Sequence, residues 1–547
     1  MYLDSLLIAI ISAPGLVLAA QALSGPAPGT PSCANIPPPL VPGASVLSIK
    51  SQTKLNYTVP QAFPTLTHDV NNLNVCEITV ALRHAGANDA VTVVTWLPLA
   101  NWNGRFAAIG GGAWLAGQGK VDLAAPASQG YAVSSTDAGL GSAADPFTPA
   151  LWALKSDGTT NTDLLTNFAS RSIHDMAVVG KSVVNAFYGR PARYSYWNGC
   201  STGGRQGLVA AQQFPTDFNG ILAAAPATYW TQYTIAELWP QVVMKEAGYY
   251  PSPCEFDAVI RAAISACDLN DKVKDGVIND PLQCHFNPFS LVGQKIHCPD
   301  SPADVVITRE LASIVRKIWD GPRTSCGSRL WYGLPIGASF SSLANTTVPN
   351  GNANTALNST QKRVGAPFFI PDTWIRYFVK RDPSFDTSMV DAKAFSELFH
   401  DSKRNFDKVI GSANPDLRKF KEAGGRLMVW HGLADSLIYP QDSIQYWEEV
   451  KHTIGGGASA VDDFFRLFLA PGLDHCGFDP TVPGAKPIDP FASLIAWVEN
   501  GTAPEYLEAE TSALAPSHFT RKICRYPLRD QYQGQGNSNV SSSYHCV

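Results

Sequence analysis

The chain has little charge and no long membrane-like segment. Charged residues make up 16% of its 547 residues, and 41 Lys and Arg against 46 Asp and Glu leave a net charge of −5. It has no basic run, heptad pattern or internal repeat, so nucleic acid and anionic membrane surfaces are not expected partners. After the first 22 residues no apolar run is long enough to span a bilayer, and we expect the mature chain to be soluble.

The N terminus carries an apolar run that is too short for a comfortable membrane span. It covers residues 6–20, and Ala20-Gln21-Ala22 then supplies a cleavage site of the small-x-small type. We therefore expect residues 1–22 to be a secretory signal peptide, although Asp4 stands where a basic residue is usual. An uncleaved anchor or a buried N-terminal helix is the alternative.

Cysteine is abundant in the rest of the chain. All 11 cysteines follow the leader, which in an oxidising compartment implies several disulfides and one unpaired thiol. Five N-x-[ST] sites are compatible with secretion from a eukaryote, namely Asn56, Asn345, Asn358, Asn500 and Asn539. These features predict an extracellular, glycosylated protein.

Short buried strands alternate with helices in the first part of the chain. Strands are predicted at residues 76–82, 91–97, 104–109, 131–136, 193–199 and 220–226, with a helix at 172–188. The alternation indicates an α/β fold with a parallel sheet covered on both faces. It stops near residue 228, and strand patterns return only at 425–431 and 464–470, before a closing helix at 490–499 that Asp489 would cap. We expect residues 228–415 to be an inserted domain.

One strand ends in a nucleophile-elbow pattern. Residues 199–203 read Gly-Cys-Ser-Thr-Gly, and a helix-compatible run follows. The G-x-S-x-G spacing displays a serine on a strained strand-to-helix turn, where glycines avoid collisions and helix N–H groups face the developing charge. Ser201 is therefore the candidate nucleophile, the alternative being a glycine-rich turn that only packs.

A candidate acid and a candidate base follow later strands. Asp435 comes just after the strand at 425–431, and His475 comes after the strand at 464–470. Ser, acid and His in this order are typical of α/β-hydrolase folds, in which the histidine accepts the serine proton and the acid orients it. Asp474 and His431 are nearby rivals, although Asp474 would point away and His431 would pack at a strand end.

A cysteine flanks each of two candidate catalytic residues. Cys200 precedes Ser201, and Cys476 follows His475. If the serine and histidine are in hydrogen-bond contact, their neighbours fall within the Cα separation of a disulfide, about 4.4–6.8 Å. We expect a bridge between Cys200 and Cys476 that braces both loops.

These motifs resemble those of the tannase and fungal feruloyl esterase family. The resemblance rests on G-C-S-T-G-G, H-G-x-x-D and D-H-C, with G-G-G-A-W and D-x-x-D-x-x-x-D-G elsewhere, and it covers most of the mature chain. It implies an α/β-hydrolase fold with a large lid domain, so that residues 23–227 and 416–547 form the catalytic domain and 228–415 the lid. It also implies hydrolysis of phenolic esters and a disulfide between nucleophile and histidine loops.

Two backbone N–H groups are expected to form an oxyanion hole. One belongs to Thr202, directly after the nucleophile. The other is expected from the Gly111-Gly112-Ala113 segment, where a strand ends in glycines, and we single out Gly112. Glycines that simply turn the chain are the alternative.

An acidic loop in the insert is a candidate calcium site. Side chains of Asp268, Asp271 and Asp275 lie close together in a glycine-bearing loop, which suits a hard cation. The family resemblance implies that the carbonyls of Val273 and Val277 complete the ligand set. A structural Ca²⁺ is expected, although lysines at 272 and 274 would weaken it. A solvated acidic loop held by Cys267–Cys284 is the alternative.

The other cysteines are assigned by position in the sequence. We expect Cys33 with Cys76, Cys254 with Cys298, and Cys524 with Cys546, which leaves Cys326 as the free thiol. Other pairings stay open, because sequence alone does not determine connectivity.

The sequence thus predicts a secreted serine esterase that cleaves small or polysaccharide-linked phenolic esters. Candidate aromatic residues of the pocket are Trp230, Tyr233, Trp239 and Phe340. Feruloyl or coumaroyl esters are the first expectation and galloyl esters the alternative, since three ring hydroxyls would need several polar partners. A serine peptidase or an inactive binding protein on the same fold is the remaining alternative.

Overall fold

A nine-stranded sheet forms the centre of the computed structural model, which describes residues 32–62, 66–117, 119–141, 143–299, 301, 303–324, 326–349 and 362–547. The expected signal peptide and the Asn358 site lie outside these residues. The strands are β1 Ala44–Val59, β2 Val70–His84, β3 Val91–Pro98, β4 Arg105–Ile109, β5 Ala132–Thr136, β6 Tyr194–Cys200, β7 Gly220–Ala224, β8 Arg426–Gly432 and β9 Phe465–Ala470. β5 and β7 are buried along their whole length, as expected of short apolar strands covered on both faces.

The strand order is β1-β2-β3-β5-β4-β6-β7-β8-β9. From β5 to β9 neighbouring strands run parallel, as the alternation of strands and helices predicted. The first part differs, because β1, β2, β3 and β5 pair antiparallel. β1 was not predicted at all: it is an edge strand whose side chains are mostly exposed, so its sequence carries no apolar alternation.

Helices cover both faces of the sheet. The fourteen α-helices of the described chain are α1 Lys120–Ser128, α2 Thr162–Thr166, α3 Ser172–Tyr188, α4 Thr202–Gln213, α5 Trp230–Ala236, α6 Trp239–Ala247, α7 Pro253–Cys267, α8 Arg309–Asp320, α9 Phe369–Trp374, α10 Ala392–Ile410, α11 Arg418–Glu422, α12 Pro440–Ile454, α13 Gly457–Asp462 and α14 Pro490–Asn500. α3 has the predicted bounds, and Asp489 caps α14 by accepting the Ala492 N–H. Residues of α3 and α4 belong to one hydrophobic cluster, and residues of α1 and α14 belong to the other.

The chain leaves the sheet after β7 and returns to it at β8. Helices α5 to α11 lie in this excursion, which shares a single hydrophobic cluster with one face of the sheet. The first two helices of the excursion, α5 and α6, are separate because Pro240 stands in the first turn of α6 and cannot donate a backbone hydrogen bond. The division at residues 228 and 415 stays a prediction.

The C-terminal part adds strands that the sequence analysis did not predict. Lys486–Pro487, Tyr506–Glu510 and Thr520–Cys524 form a three-stranded sheet, and Asp530–Tyr532 pairs with Tyr544–Cys546. None of the helices in the described residues is both long and apolar enough to cross a membrane.

Five disulfides join the pairs expected from the sequence. They are Cys33–Cys76, Cys200–Cys476, Cys254–Cys298, Cys267–Cys284 and Cys524–Cys546, and Cys326 is free and exposed. Cys200–Cys476 spans 276 residues of chain and links the end of β6 to the loop after β9. It therefore restricts the unfolded chain more than the others do, since their spans are 17 to 44 residues.

Removal of Cys200–Cys476 should lower the stability of the whole chain. Replacing both cysteines with alanine is expected to reduce the free energy of unfolding by roughly 2–5 kcal/mol, because the lost loop closure is long. Differential scanning calorimetry without reductant measures the change in Tm. The matched control is alanine at Cys524 and Cys546, which closes only 22 residues and should lower Tm less. An equal or smaller loss for the long bridge would contradict this prediction.

Candidate active site

Ser201 lies on a strained turn between β6 and α4. Its φ and ψ are 63° and −122°, a backbone conformation that a serine adopts only when the surroundings impose it. The flanking glycines are required by space: a Cβ on Gly199 would lie 2.6 Å from the backbone of Gly203, and one on Gly203 would lie 2.9 Å from Gly111 O. The sequence therefore folds into the elbow that its G-x-S-x-G spacing predicts.

Asp435 and His475 lie on the loops after β8 and β9 and contact each other. His475 Nδ1 and Asp435 Oδ2 are 2.7 Å apart, and Asp435 Oδ1 accepts the N–H groups of Leu437 and Ile438 at 2.9 Å each. Asp435 is wholly buried and His475 is 8% exposed. Burial opposes ionisation of Asp435, but the imidazoles and N–H groups around it hold its pKa below the usual range.

The contact with Asp435 also shifts the pKa of His475. Burial alone would lower the pKa of His475, but the Asp435 carboxylate raises it above the ordinary value, with a further contribution from the charge of Asp474. With Nδ1–H donated to Asp435, Nε2 is the nitrogen left to accept a proton. The arrangement can therefore act as a general base.

Asp474 and His431, the two alternative candidates, make different contacts. Asp474 Oδ2 accepts the N–H of Asp479 at 2.9 Å, so Asp435 is the carboxylate that holds His475. His431 was expected to pack at a strand end, yet its Nε2 contacts Asp435 Oδ2 at 3.1 Å and its Nδ1 contacts Ser443 Oγ at 2.8 Å. The sequence analysis missed this positioning contact, although the H-G-x-x-D motif places both residues at the end of one strand.

Ser201 and His475 lie in the wall of one cavity of about 840 Å³. The Cα atoms of their neighbours Cys200 and Cys476 are 6.1 Å apart. No hydrogen bond joins Ser201 Oγ to His475 within the chain as described. Such contacts are often long before a substrate binds and tighten afterwards.

The glycine loop after β4 has two of its N–H groups occupied. Gly110 donates to Asn198 O at 3.0 Å and Gly111 donates to Gln206 Oε1 at 2.9 Å. Among the described residues, neither the Gly112 N–H nor the Thr202 N–H at the start of α4 has an acceptor. The Thr202 hydroxyl donates to Ala113 O at 2.8 Å and thereby fastens the loop to the helix. The N–H groups of Gly112 and Thr202 are thus unpaired beside the elbow, as is that of Ala113 among the described residues.

The aromatic candidates separate into two groups. Trp230 and Tyr233 line the cavity with Ser201. Trp239 donates its Nε1–H to Lys317 O and stacks near Phe395, while Phe340 packs against Phe256 and Trp319, so both belong to the core of the insert. A second cavity of about 380 Å³ adjoins the first, and His475, Leu437 and Phe478 line both.

The acidic loop holds its carboxylates through its own backbone. Asp268 Oδ1 accepts the N–H groups of Asp275 and Gly276, Asp271 Oδ1 accepts that of Val273, and Asp275 Oδ1 accepts that of Val277. The other oxygen of Asp275 pairs with the Arg521 guanidinium. Across the described residues, no three His, Cys, Asp or Glu side chains converge as a metal site would require.

Comparison with known proteins identifies the family. A family model for tannase and feruloyl esterase matches residues 76–547. A probable feruloyl esterase of Arthroderma benhamiae is 46% identical over 519 residues, which are 94% of this chain and 93% of that one. A tannase of Aspergillus oryzae is 26% identical over 86% of this chain and 84% of its own length.

The solved structures agree with the sequence matches. A tannin acyl hydrolase from Aspergillus niger superimposes with a TM-score of 0.82 at 26% identity, covering 93% of both chains. Feruloyl esterase B from Aspergillus oryzae gives 0.76 at 25% identity, with 93% of this chain and 97% of that one covered. The expected α/β-hydrolase fold is confirmed. The chain belongs to the tannase and feruloyl esterase family and is a carboxylic ester hydrolase.

Proposed function

We propose that this esterase cleaves phenolic-acid esters through a triad of Ser201, His475 and Asp435. The observation that carries the proposal is the Asp435–His475 pair, held through the Cys200–Cys476 bridge beside a serine on strained backbone. Ser201 Oγ attacks the ester carbonyl while His475 Nε2 accepts its proton and Asp435 stabilises the imidazolium. The unpaired N–H groups of Gly112 and Thr202 hold the oxyanion.

The second half of the cycle uses the same groups. His475 returns the proton to the leaving alcohol, and the acyl group stays on Ser201 as an ester. Water then attacks that ester with His475 again as general base, which frees the phenolic acid and restores the serine. The position of His475 between the two cavities supports a division in which the larger one takes the acyl group and the smaller one the alcohol.

Feruloyl and coumaroyl esters are the first choice of substrate. The 46% identity to a probable feruloyl esterase supports it, as do the Trp230, Phe368 and Phe369 side chains in the wall of the larger cavity. Galloyl esters are the second candidate, favoured by the similarity to the Aspergillus niger tannin acyl hydrolase. We infer that the alcohol in the smaller cavity can be part of a polysaccharide.

The proposal includes secretion of the enzyme, which would act outside the cell. Five disulfides are typical of proteins made in an oxidising compartment. Asn56, Asn500 and Asn539 are exposed and available for glycosylation.

We further propose that the acidic loop binds a structural Ca²⁺. Carboxylates of Asp268, Asp271 and Asp275 and the carbonyls of Val273 and Val277 are the hard oxygen donors that calcium prefers. Each carboxylate is anchored through Oδ1, and an ion would meet the second oxygens, of which Asp271 Oδ2 accepts a hydrogen bond from Asn279 Nδ2 at 3.3 Å. Arg521 competes for Asp275, which should make binding weaker than in a loop of carboxylates alone.

Ser201→Ala should abolish turnover without unfolding the chain. Loss of the nucleophile is expected to lower kcat by about 10⁴-fold or more, measured with methyl ferulate, methyl p-coumarate, methyl caffeate and methyl gallate. The Tm of the variant is the control for folding. Retained turnover would assign the nucleophile elsewhere, and wild-type preference for the gallate would favour the second substrate class.

The acidic limb of the kcat/KM profile should lie at a higher pH than a free imidazole would give. His475 accepts a proton only when neutral, so kcat/KM is lost as the pH falls through its pKa, and the limb should lie above the free-imidazole value of about 6.5. Asp435→Asn removes the carboxylate that raises this pKa. It should lower kcat by about 10⁴-fold and move the limb of the residual activity to lower pH. A limb below the free-imidazole value in the wild type would contradict the assignment.

Calcium should stabilise the chain more than it accelerates the reaction. Elemental analysis of the purified protein should find about one Ca²⁺ per chain, and chelation should lower Tm while leaving the rate at 25 °C nearly unchanged. Asp271→Asn should lose the ion, whereas the matched change Asp280→Asn, outside the proposed ligand set, should keep it. Metal-free wild-type protein whose Tm does not respond to added Ca²⁺ would refute the site.

A further inference from the structure

A buried carboxyl oxygen in the wall of the larger cavity makes no hydrogen bond within the described residues. Glu237 is 2% exposed and lines the cavity that contains Ser201. Within the described chain its Oε2 is buried and makes no hydrogen bond. An unpaired buried polar group destabilises a fold, so its presence in a cavity wall points to a bound partner.

The fold explains how Glu237 reaches the cavity. It is the residue directly after α5, at the break that Pro240 imposes before α6. Tyr233 lies four residues earlier on the same helix and lines the same cavity, as does Trp230 one turn before it. The carboxyl therefore lies beside aromatic side chains that can cover one face of a substrate ring.

Another buried glutamate shows what a purely structural carboxyl looks like here. Glu255 is 7% exposed, and it accepts the N–H of Ser252 and the hydroxyl of Tyr249. Its oxygens are used by a helix cap and a phenol of the protein. Within the described residues Glu237 accepts neither a backbone N–H nor a phenol hydroxyl. This is expected of a carboxyl that binds a ligand.

The environment also determines the form of the carboxyl. Burial raises the pKa of Glu237 well above its usual value, and the charges of Asp435 and Asp442 raise it further. This shift favours the protonated, uncharged form of the carboxyl. In this form it can donate one hydrogen bond and accept another, as a phenol hydroxyl also can.

We propose that Glu237 determines specificity by pairing with a ring hydroxyl of the acyl group in the larger cavity. The ligand class is a hydroxylated aromatic acid, bound with its carbonyl at Ser201 and its hydroxyl at Glu237. The inference rests on the proposed function and deepens it. Glu237 takes part in no bond-making step, and it acts through binding alone.

The test compares an ester that has the ring hydroxyl with one that lacks it. Methyl p-coumarate and methyl cinnamate differ only in that group, and kcat/KM is measured for both with wild type, Glu237→Gln and Glu237→Leu. The wild type should prefer the coumarate by about tenfold or more. Glu237→Gln, which can still donate and accept, should keep most of the preference, and Glu237→Leu should reduce it to about one.

The Tm of Glu237→Leu is a second test, because a merely structural role of Glu237 predicts a lower Tm. Glu237→Leu replaces an unpaired buried acid with an apolar side chain, so Tm should stay the same or rise while coumarate hydrolysis falls. Glu255→Gln is the matched control: it changes a buried glutamate in the cap of α7 that lies outside the cavity wall and should leave the substrate ratio unchanged.

Several outcomes would overturn the proposal. An equal loss of kcat/KM for both esters in Glu237→Leu, which leaves the coumarate-to-cinnamate ratio unchanged, would show that Glu237 does not bind the ring hydroxyl. The proposed function would still stand. A ratio that collapses in Tyr233→Phe and not in Glu237→Leu would assign the contact to the tyrosine. If Glu237→Leu fails to fold, the wild type decides: no preference for methyl p-coumarate over methyl cinnamate overturns the proposal. Hydrolysis of neither ester would overturn this inference, and the proposed function would then rest on methyl gallate alone.

Discussion

The Cys200–Cys476 bond is the constraint on which the geometry of the site depends. It joins the end of β6 to the loop after β9, two points that 276 residues of chain separate, including the whole insert. The residue after Cys200 is the strained serine and the residue before Cys476 is the histidine. Because one covalent link adjoins both, a shift of either loop moves the other, and their separation changes little.

Three buried acids near the site show how hydrogen-bond and charge partners set the pKa of a carboxyl. Asp435 accepts two backbone N–H groups and contacts two imidazoles, so its pKa lies below the usual range despite complete burial. Glu237 and Asp442 are just as buried, and burial raises the pKa of each well above its usual value. The partners of Asp435 favour its charged form, whereas burial favours the protonated form of Glu237, which is suited to a hydroxyl.

How much of this could be read from the sequence depends on how local each feature is. The elbow, Asp435 and His475 follow from short motifs at strand ends, and the sequence expectations name them by position. β1 and the antiparallel start of the sheet were missed because an exposed edge strand has no apolar alternation. The contact of His431 with Asp435 lies within one short motif and was missed because the motif does not show which way the imidazole points. The unpaired state of Glu237 depends on packing between distant segments, which no local pattern encodes.

The beginning of the insert connects the pocket wall to the nucleophile. Ala225 N–H donates to Trp430 O in β8, and Ala227 N–H donates to the carbonyl of Ser201. α5 starts at Trp230, only three residues further along, so its cavity-lining side chains are positioned relative to the elbow by backbone hydrogen bonds. The part of the cavity wall that α5 contributes is therefore tied to the Ser201 turn by backbone hydrogen bonds. Under the proposed function, a substitution in α5 would change which ring is accepted while Ser201 stays in place.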